Sequence, residues 1–158
     1  MTHNLCLREV TVNDLPILFA YQQDPEASRM AAFPARGWDD FRTHWMKILG
    51  DATIITKAIL FDDQVAGSIV SWEQAGEREV GYWLGKDYWG QGIATSALGM
   101  FLDLDMTRPL YAHVAKHNRA SLRVLEKCGF TICGEHTALF TSNSEAVDAW
   151  ILIIGPDR

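Results

Sequence analysis

Three glycines, Gly85, Gly90 and Gly92, lie between an apolar strand-like run and an apolar helix-like run. A turn of this kind can aim the free N–H groups of a helix N-terminus at a phosphate. Small Ala94 and Thr95 in the first helical turn suit the same task, and a side chain at the glycines would hold the anion away. An ordinary strand-to-helix loop has the same composition, so spacing alone leaves both readings open. A dinucleotide fingerprint fits less well. Gly90-Gln-Gly92 is followed by Thr95 where a third Gly or Ala belongs, and no acidic residue follows at the end of a next strand.

Other chemistries have weaker signals. His113 and His117 are spaced for a metal on one helix, but they straddle a strand end and a helix start, so no metal is expected. The sequence holds neither HExxH nor GxSxG. Cys6, Cys128 and Cys133 form an odd set without a CxxC pair, which argues against a disulfide framework and fits a reducing cytoplasm.

The chain that must position these residues has 158 of them, a length suited to one domain over 1–158. Its hydrophobic share of 48% and charged share of 22% argue against disorder. Lys and Arg number 14 and Asp and Glu 20, so the net charge is 14 − 20 = −6, which speaks against a nucleic-acid partner. The apolar run Ala149–Ile154 is too short to span a membrane, and the first residues lack the basic and apolar regions of a signal peptide.

Periodicity and turn residues predict a strand over Leu5–Val10, a helix over Asp14–Gln23, a loop over Met30–Gly37 and a helix over Trp38–Leu49 stopped by Gly50. Thr53–Phe61 and Gln64–Trp72 read as a hairpin around Asp62-Asp63, and Arg78–Leu84 as a third strand after a Gly76 turn. The glycine turn then feeds a helix with Ile93, Ala97, Met100, Phe101 and Leu104 on one face. Leu110–Val114, Thr131–Thr137 and Ala146–Ile154 read as strands, and Asn118–Lys127 as a helix closed by Gly129. Antiparallel strands followed by a β-α-β-α-β half predict an α/β fold, one mixed sheet with helices on both faces.

Two segments carry a resemblance. Glu79-Val-Gly-Tyr-Trp-Leu-Gly-Lys-Asp-Tyr-Trp-Gly-Gln-Gly-Ile-Ala-Thr95 resembles the acetyl-CoA motif of the GNAT N-acetyltransferases. Asn118-Arg-Ala-Ser-Leu-Arg-Val-Leu-Glu-Lys-Cys-Gly-Phe130 is similar to a segment of their RimJ/RimL branch, the ribosomal-protein N-terminal acetyltransferase type. The resemblance implies a mostly antiparallel sheet of about seven strands with a splayed central pair. It implies acetyl-CoA as co-substrate, an amine acceptor, and often a homodimer, although the C-terminal strands serve a monomer equally well. The pyrophosphate would lie on the backbone of Trp89, Gly90, Gln91, Gly92, Ile93, Ala94 and Thr95, with Trp89 standing where most of the family has Arg or Gln. Pantetheine would pair with the backbone of Tyr82, Trp83 and Leu84 and touch Asn118.

Acetyl transfer to an amine needs a base for the ammonium, a donor for the oxyanion and a proton for the leaving thiolate. The resemblance points to Glu79 as base, with Glu77 as an alternative, and strand alternation puts Glu79, Gly81 and Trp83 on one face. The Leu84 N–H is a candidate oxyanion donor. Position 125, where the family often has tyrosine, is Leu125, which leaves Ser121 as the acid. Ser121 reads equally as a first-turn residue satisfying local backbone, and Asn118 as a helix N-cap. The Phe33-Pro-Ala-Arg-Gly-Trp38 loop would form one wall of the acceptor site, Trp38, Trp72 and Trp83 an aromatic lining, and His136 could face it. The negative charge favours cationic acceptors, from polyamines to basic N-termini. The competing readings are an acyl-CoA-binding module without turnover and an enzyme that binds another nucleotide.

Overall fold

Asp62 and Asp63 take φ values of 50° and 67°, and in this left-handed region they close a two-residue hairpin between β2 (Ile55–Phe61) and β3 (Gln64–Gln74). Ala75 and Gly76, at 52° and 82°, do the same between β3 and β4 (Glu77–Leu84). β1 (Leu5–Arg8) joins the other edge of β2. The protein is described from a computed structural model, which covers residues 3–32, 35–139 and 146–155. Its second half adds β5 (Leu110–Ala115), β6 (Thr131–Leu139) and β7 (Ala146–Ile154). The resulting seven-stranded sheet has the order β1-β2-β3-β4-β5-β7-β6.

Every neighbouring pair is antiparallel except β4 and β5. These two run parallel and register at two positions, Arg78 with Leu110 and Glu79 with Tyr111. Beyond Glu79 they separate, leaving a wedge in the middle of the sheet. The expected mixed, mostly antiparallel sheet with a splayed central pair is therefore the observed one.

Helices cover both faces because β2 alternates. Ala58 faces one apolar cluster and its neighbour Ile59 the other. On the Ala58 side, α1 (Leu15–Gln22) and α3 (Trp38–Leu49) bury Leu15, Leu18, Phe41 and Trp45. On the Ile59 side, α4 (Ile93–Leu104) and α5 (Arg119–Lys127) bury Leu98, Phe101 and Leu125 with Leu110, Phe130 and Leu152. Each such large side chain contributes roughly 1.5–3 kcal/mol on burial. No described helix is long and apolar enough to cross a membrane.

Two expectations are corrected. The loop expected over Met30–Gly37 starts later, because a helix left unread in the sequence, α2 (Pro25–Ala31), runs through Met30 and Ala31. Asp24 caps it by accepting from the N–H groups of Glu26 and Ala27, with Pro25 at the first helical position. The buried face of α4 is also turned. Leu98 and Leu102 are buried in place of Met100 and Leu104, which are 37% and 55% exposed. The helix packs against β1 and β2 as well as α5, so its apolar stripe is centred between those neighbours.

A buried polar knot fixes the start of β4. Arg78, 7% exposed, reaches Asp105 Oδ2 with Nε at 3.3 Å and donates to the Thr53 carbonyl at 2.7 Å and to Ser71 Oγ at 3.0 Å. Ser71 Oγ donates to Asp105 Oδ2 at 2.7 Å. Burial alone would raise the Asp105 carboxyl, but Ser71, Thr107 and the Arg78 charge outweigh it and hold it below the usual range. The knot ties β4, β3 and the end of α4 together one residue before Glu79.

Candidate active site

The wedge opens where β4 loses its partner. Gly85 N–H donates to the Ala66 carbonyl at 2.8 Å, which makes Ala66 and Gly85 a hydrogen-bonded pair. The unbroken β3–β4 register then directs the backbone groups of Trp83, Gly81 and Glu79 toward β3. Those of Leu84, Tyr82 and Val80 face the wedge. An extended ligand arm laid there would meet Leu84 and Tyr82 through backbone, while Trp83 enters by its side chain. The Leu84 carbonyl already accepts the Trp89 indole N–H at 2.9 Å. This leaves the Leu84 N–H to act as donor and gives Trp89 a bracing role across the mouth of the wedge.

Below that mouth is the glycine turn. Gly90 and Gly92 take φ of 75° and 77°, where a residue with Cβ is strained. A Cβ added at either meets no protein atom within 4 Å, so the space in front of the backbone is open. Gly92 is the N-cap of α4, without a side-chain cap and without an acidic residue in the first turn. Ile93, Ala94 and Thr95 begin α4, and their N–H groups are the orphan donors that an anion can satisfy. Gln91 lies on the outer side and donates to the Asp87 carbonyl.

A cavity of about 180 Å³ fills the wedge, lined among others by Tyr82, Trp83, Leu84, Trp89, Gly90, Ala94, Asn118 and Ser121. Residues from both motifs, far apart in the chain, thus share one wall-to-wall space. Asn118 is the N-cap of α5, its Oδ1 accepting from the Ser121 N–H at 3.2 Å. Its amide NH₂ remains available to a ligand. Ser121 Oγ lies 2.8 Å from the Tyr82 hydroxyl, a bond that crosses from α5 to β4. Burial raises the Tyr82 phenol, an effect the Ser121 bond partly offsets. Leu125 is 3% exposed and belongs to the core.

Glu79 occupies the closed end of the wedge. Its Oε1 is 3.4 Å from His113 Nε2, and His113 Nδ1 is 2.9 Å from His136 Nε2. A carboxylate and two imidazoles therefore form a line from β4 through β5 to β6. The sequence reading brought Glu79 and His136 to the site but weighed His113, the link between them, only as a metal ligand beside His117. Alternation within β5 was the available signal, since it puts Tyr111 and His113 on one face. His117 goes elsewhere, its Nε2 meeting the Arg29 carbonyl oxygen at 2.8 Å. Glu77 is exposed at the β3–β4 turn. Among the described residues no cluster of three or more His, Cys, Asp or Glu is placed to hold a metal.

A second cavity, about 530 Å³, lies on the α3 side, with Trp45, Trp72, Trp83, Gly81, Arg36, His44 and Glu73 in its lining. Trp72 and Trp83 are where the aromatic lining was expected, but Trp38 is not. Trp38 packs on Phe19 and Phe41, and Trp45 takes the third place. Of the loop read as an acceptor wall, Phe33 and Pro34 lie outside the described residues, and Arg36 reaches the cavity. Tyr82 and Trp83 border both cavities, so β4 separates a narrow space from a wide one.

A mixed sheet split between parallel neighbours, with a glycine turn at the open end, is an architecture that acetyltransferases of known structure share. The acetyltransferase (GNAT) domain matches residues 4–131, most of the chain, and the protein belongs to that family. It is accordingly an acetyl-CoA-dependent acyltransferase. It is 27% identical over 143 residues to the uncharacterized N-acetyltransferase p20 of Bacillus licheniformis, covering 82% of this chain and 80% of that one. Solved structures share the fold. The spermidine N-acetyltransferase of Vibrio cholerae with CoA and spermine superposes with a TM-score of 0.82 at 19% identity, over 95% of this chain and 94% of that one. The ribosomal-protein α-N-acetyltransferase RimL with coenzyme A gives 0.77 at 19% identity over the same shares.

Proposed function

We propose that this acetyltransferase carries the acetyl group of acetyl-CoA to a primary amine, a protein N-terminus or a small cationic amine, in the manner of the RimJ/RimL branch. The observation that carries the reading is the wedge. It presents the Leu84 N–H from β4 and Asn118 and Ser121 from α5 across one cavity and has Glu79 at its closed end. A donor anchored at the glycine turn would lay its arm along the wedge and bring its thioester beside Leu84, Tyr82 and Ser121, with Glu79 further along the strand.

In this arrangement the orphan N–H groups of Ile93, Ala94 and Thr95 hold the pyrophosphate, and Tyr82 and Leu84 bind the arm through backbone. Glu79 takes the proton from the ammonium, directly or through water, so that a neutral amine can attack. The Leu84 N–H steadies the oxyanion, and Ser121 supplies a proton to the sulfur. The wider cavity, bordered by Trp72, Trp83 and Glu73, receives the amine. A net charge of −6 draws cations toward it.

Thermal unfolding with acetyl-CoA, NAD and ATP in parallel tests the cofactor. Acetyl-CoA at a hundred times its Kd stabilises by about 2.7 kcal/mol. A panel of polyamines, aminoglycosides and peptides with free N-termini, read by CoA release, then tests the acceptor. A shift with NAD or ATP but none with acetyl-CoA overturns the assignment of the glycine turn.

A further inference from the structure

We propose that Tyr82 is a proton-supplying residue of the transfer step, its hydroxyl backing that of Ser121 as donor to the departing sulfur. The inference rests on the reading of Ser121 given above and extends it to a residue on the opposite wall of the wedge.

Ser121 has no second proton of its own to draw on. An alcohol that gives up a proton without receiving one becomes an alkoxide, a far stronger base than a thiolate. Ser121 therefore works as a donor only if a second group refills it. Its Oγ has such a group at 2.8 Å, the Tyr82 hydroxyl. A free phenol ionises near pH 10 and a thiol near 8.5, so transfer toward the sulfur is uphill by a small step that burial of Tyr82 enlarges and the Ser121 bond partly offsets. Both side chains line the narrow cavity, so the pair is inside the space that the thioester arm enters. With Tyr82 donating to Ser121 Oγ, the serine's own hydrogen is free to point into that space. Burial raises the Tyr82 phenol and keeps its proton in place across neutral pH until a base appears.

As the carbon–sulfur bond breaks, its electron pair stays on sulfur. The Ser121 O–H proton passes to sulfur, and the Tyr82 O–H proton passes to Ser121 Oγ. Tyr82 is left as phenolate and regains a proton from water. The proton removed from the amine leaves at Glu79, so no net charge accumulates. Neither hydroxyl changes identity over the cycle.

Four proteins test this, the native chain, Ser121→Ala, Tyr82→Phe and the double variant, each first shown to unfold at a comparable temperature. Ser121→Ala is expected to lower kcat about a hundredfold. Tyr82→Phe should lower it nearly as far with little change in KM for acetyl-CoA, and the double variant no further than Ser121→Ala. A second readout needs no turnover. With CoA bound, the ultraviolet absorbance of its thiolate is followed against pH, and both single variants should raise the pH at which it ionises. Tyr82→Phe at native rate with an unshifted thiolate, beside a slow Ser121→Ala, overturns the role of Tyr82 alone. A native rate for Ser121→Ala overturns the reading beneath it. Losses that multiply in the double variant show two independent groups and also overturn the proposal.

Discussion

Glu79 and His113 meet across the last paired rung of β4 and β5, with Oε1 and Nε2 3.4 Å apart. The contact lies at the closed end of the wedge, and the bond from His113 to His136 holds the imidazole from behind. Glu79→Gln keeps the shape and removes the base. CoA release with a saturating amine should fall by 10²-fold or more, roughly the range for general-base catalysis. The acetyl-CoA-induced rise in unfolding temperature should stay as it was. An unchanged rate would remove Glu79 from the mechanism without touching the family assignment.

His113→Asn should act through Glu79. It keeps a polar group on β5 but loses the ring that faces the carboxylate, so the expected loss in kcat is smaller than that of Glu79→Gln. Combined with Glu79→Gln it should cost nothing further. Steady-state rates of the two single variants and the double variant decide this.

The glycine turn separates backbone strain from ligand contact. Gly92→Val places a β-branched residue at φ 77°, a cost of roughly 1–2 kcal/mol. Gly92→Asn tolerates the same φ far better. Chemical denaturation should therefore show the valine variant destabilised and the asparagine variant near native. Both should bind acetyl-CoA more weakly in calorimetry, because each puts a side chain into the open space before the N–H groups of α4.

The Arg78–Asp105 knot should dominate the response of stability to mutation. Asp105→Asn leaves the buried guanidinium only the exposed Glu73 carboxylate, 3.8 Å from its Nη1, a loss of about 3–5 kcal/mol in urea denaturation. The knot also has a pH signature. The folded carboxyl of Asp105 titrates below its usual 3.8, and so does Asp14, held first by its hydrogen bond to Arg8. A lowered folded pKa means stability that is present above the unfolded value and lost as pH falls through the folded one. The native chain should weaken steeply below about pH 4, and Asp105→Asn should show a shallower acid limb.

At the other extreme, Tyr21 donates its hydroxyl to the Val65 carbonyl, and burial, with Tyr88 beside it, pushes its phenol up to about 12. A raised folded pKa gives stability that is complete below pH 10 and lost as pH rises toward 12. Denaturation midpoints between those values should fall for the native chain and fall less for Tyr21→Phe.

Much of this was legible in the residues, and what was missed has a common cause. The Trp38–Leu49 helix and both Asp62-Asp63 and Gly76 turns are local, and period, cap and turn residues sufficed for them. α2 was equally local, announced by Asp24-Pro25-Glu26, and was overlooked because seven residues give little periodicity. The face of α4 depended on β1, β2 and α5 together, which no single window contains. The site followed the same division. The two motifs named Asn118, Ser121 and Glu79, but Tyr82 meets Ser121 across 39 positions and His113 meets His136 across 23. Those partnerships come from the order of strands in the sheet.

The alternation of β4 has a consequence for how such an enzyme can change. Tyr82 and Leu84 turn their backbone toward the wedge, while Gly81 and Trp83 border the wider cavity. Under the proposed function, donor recognition is thus written largely in main chain, which point mutation barely edits, and acceptor recognition in side chains, which it edits freely. A lineage built on this strand can exchange one amine for another by single substitutions at odd-numbered positions and keep the same acetyl source throughout.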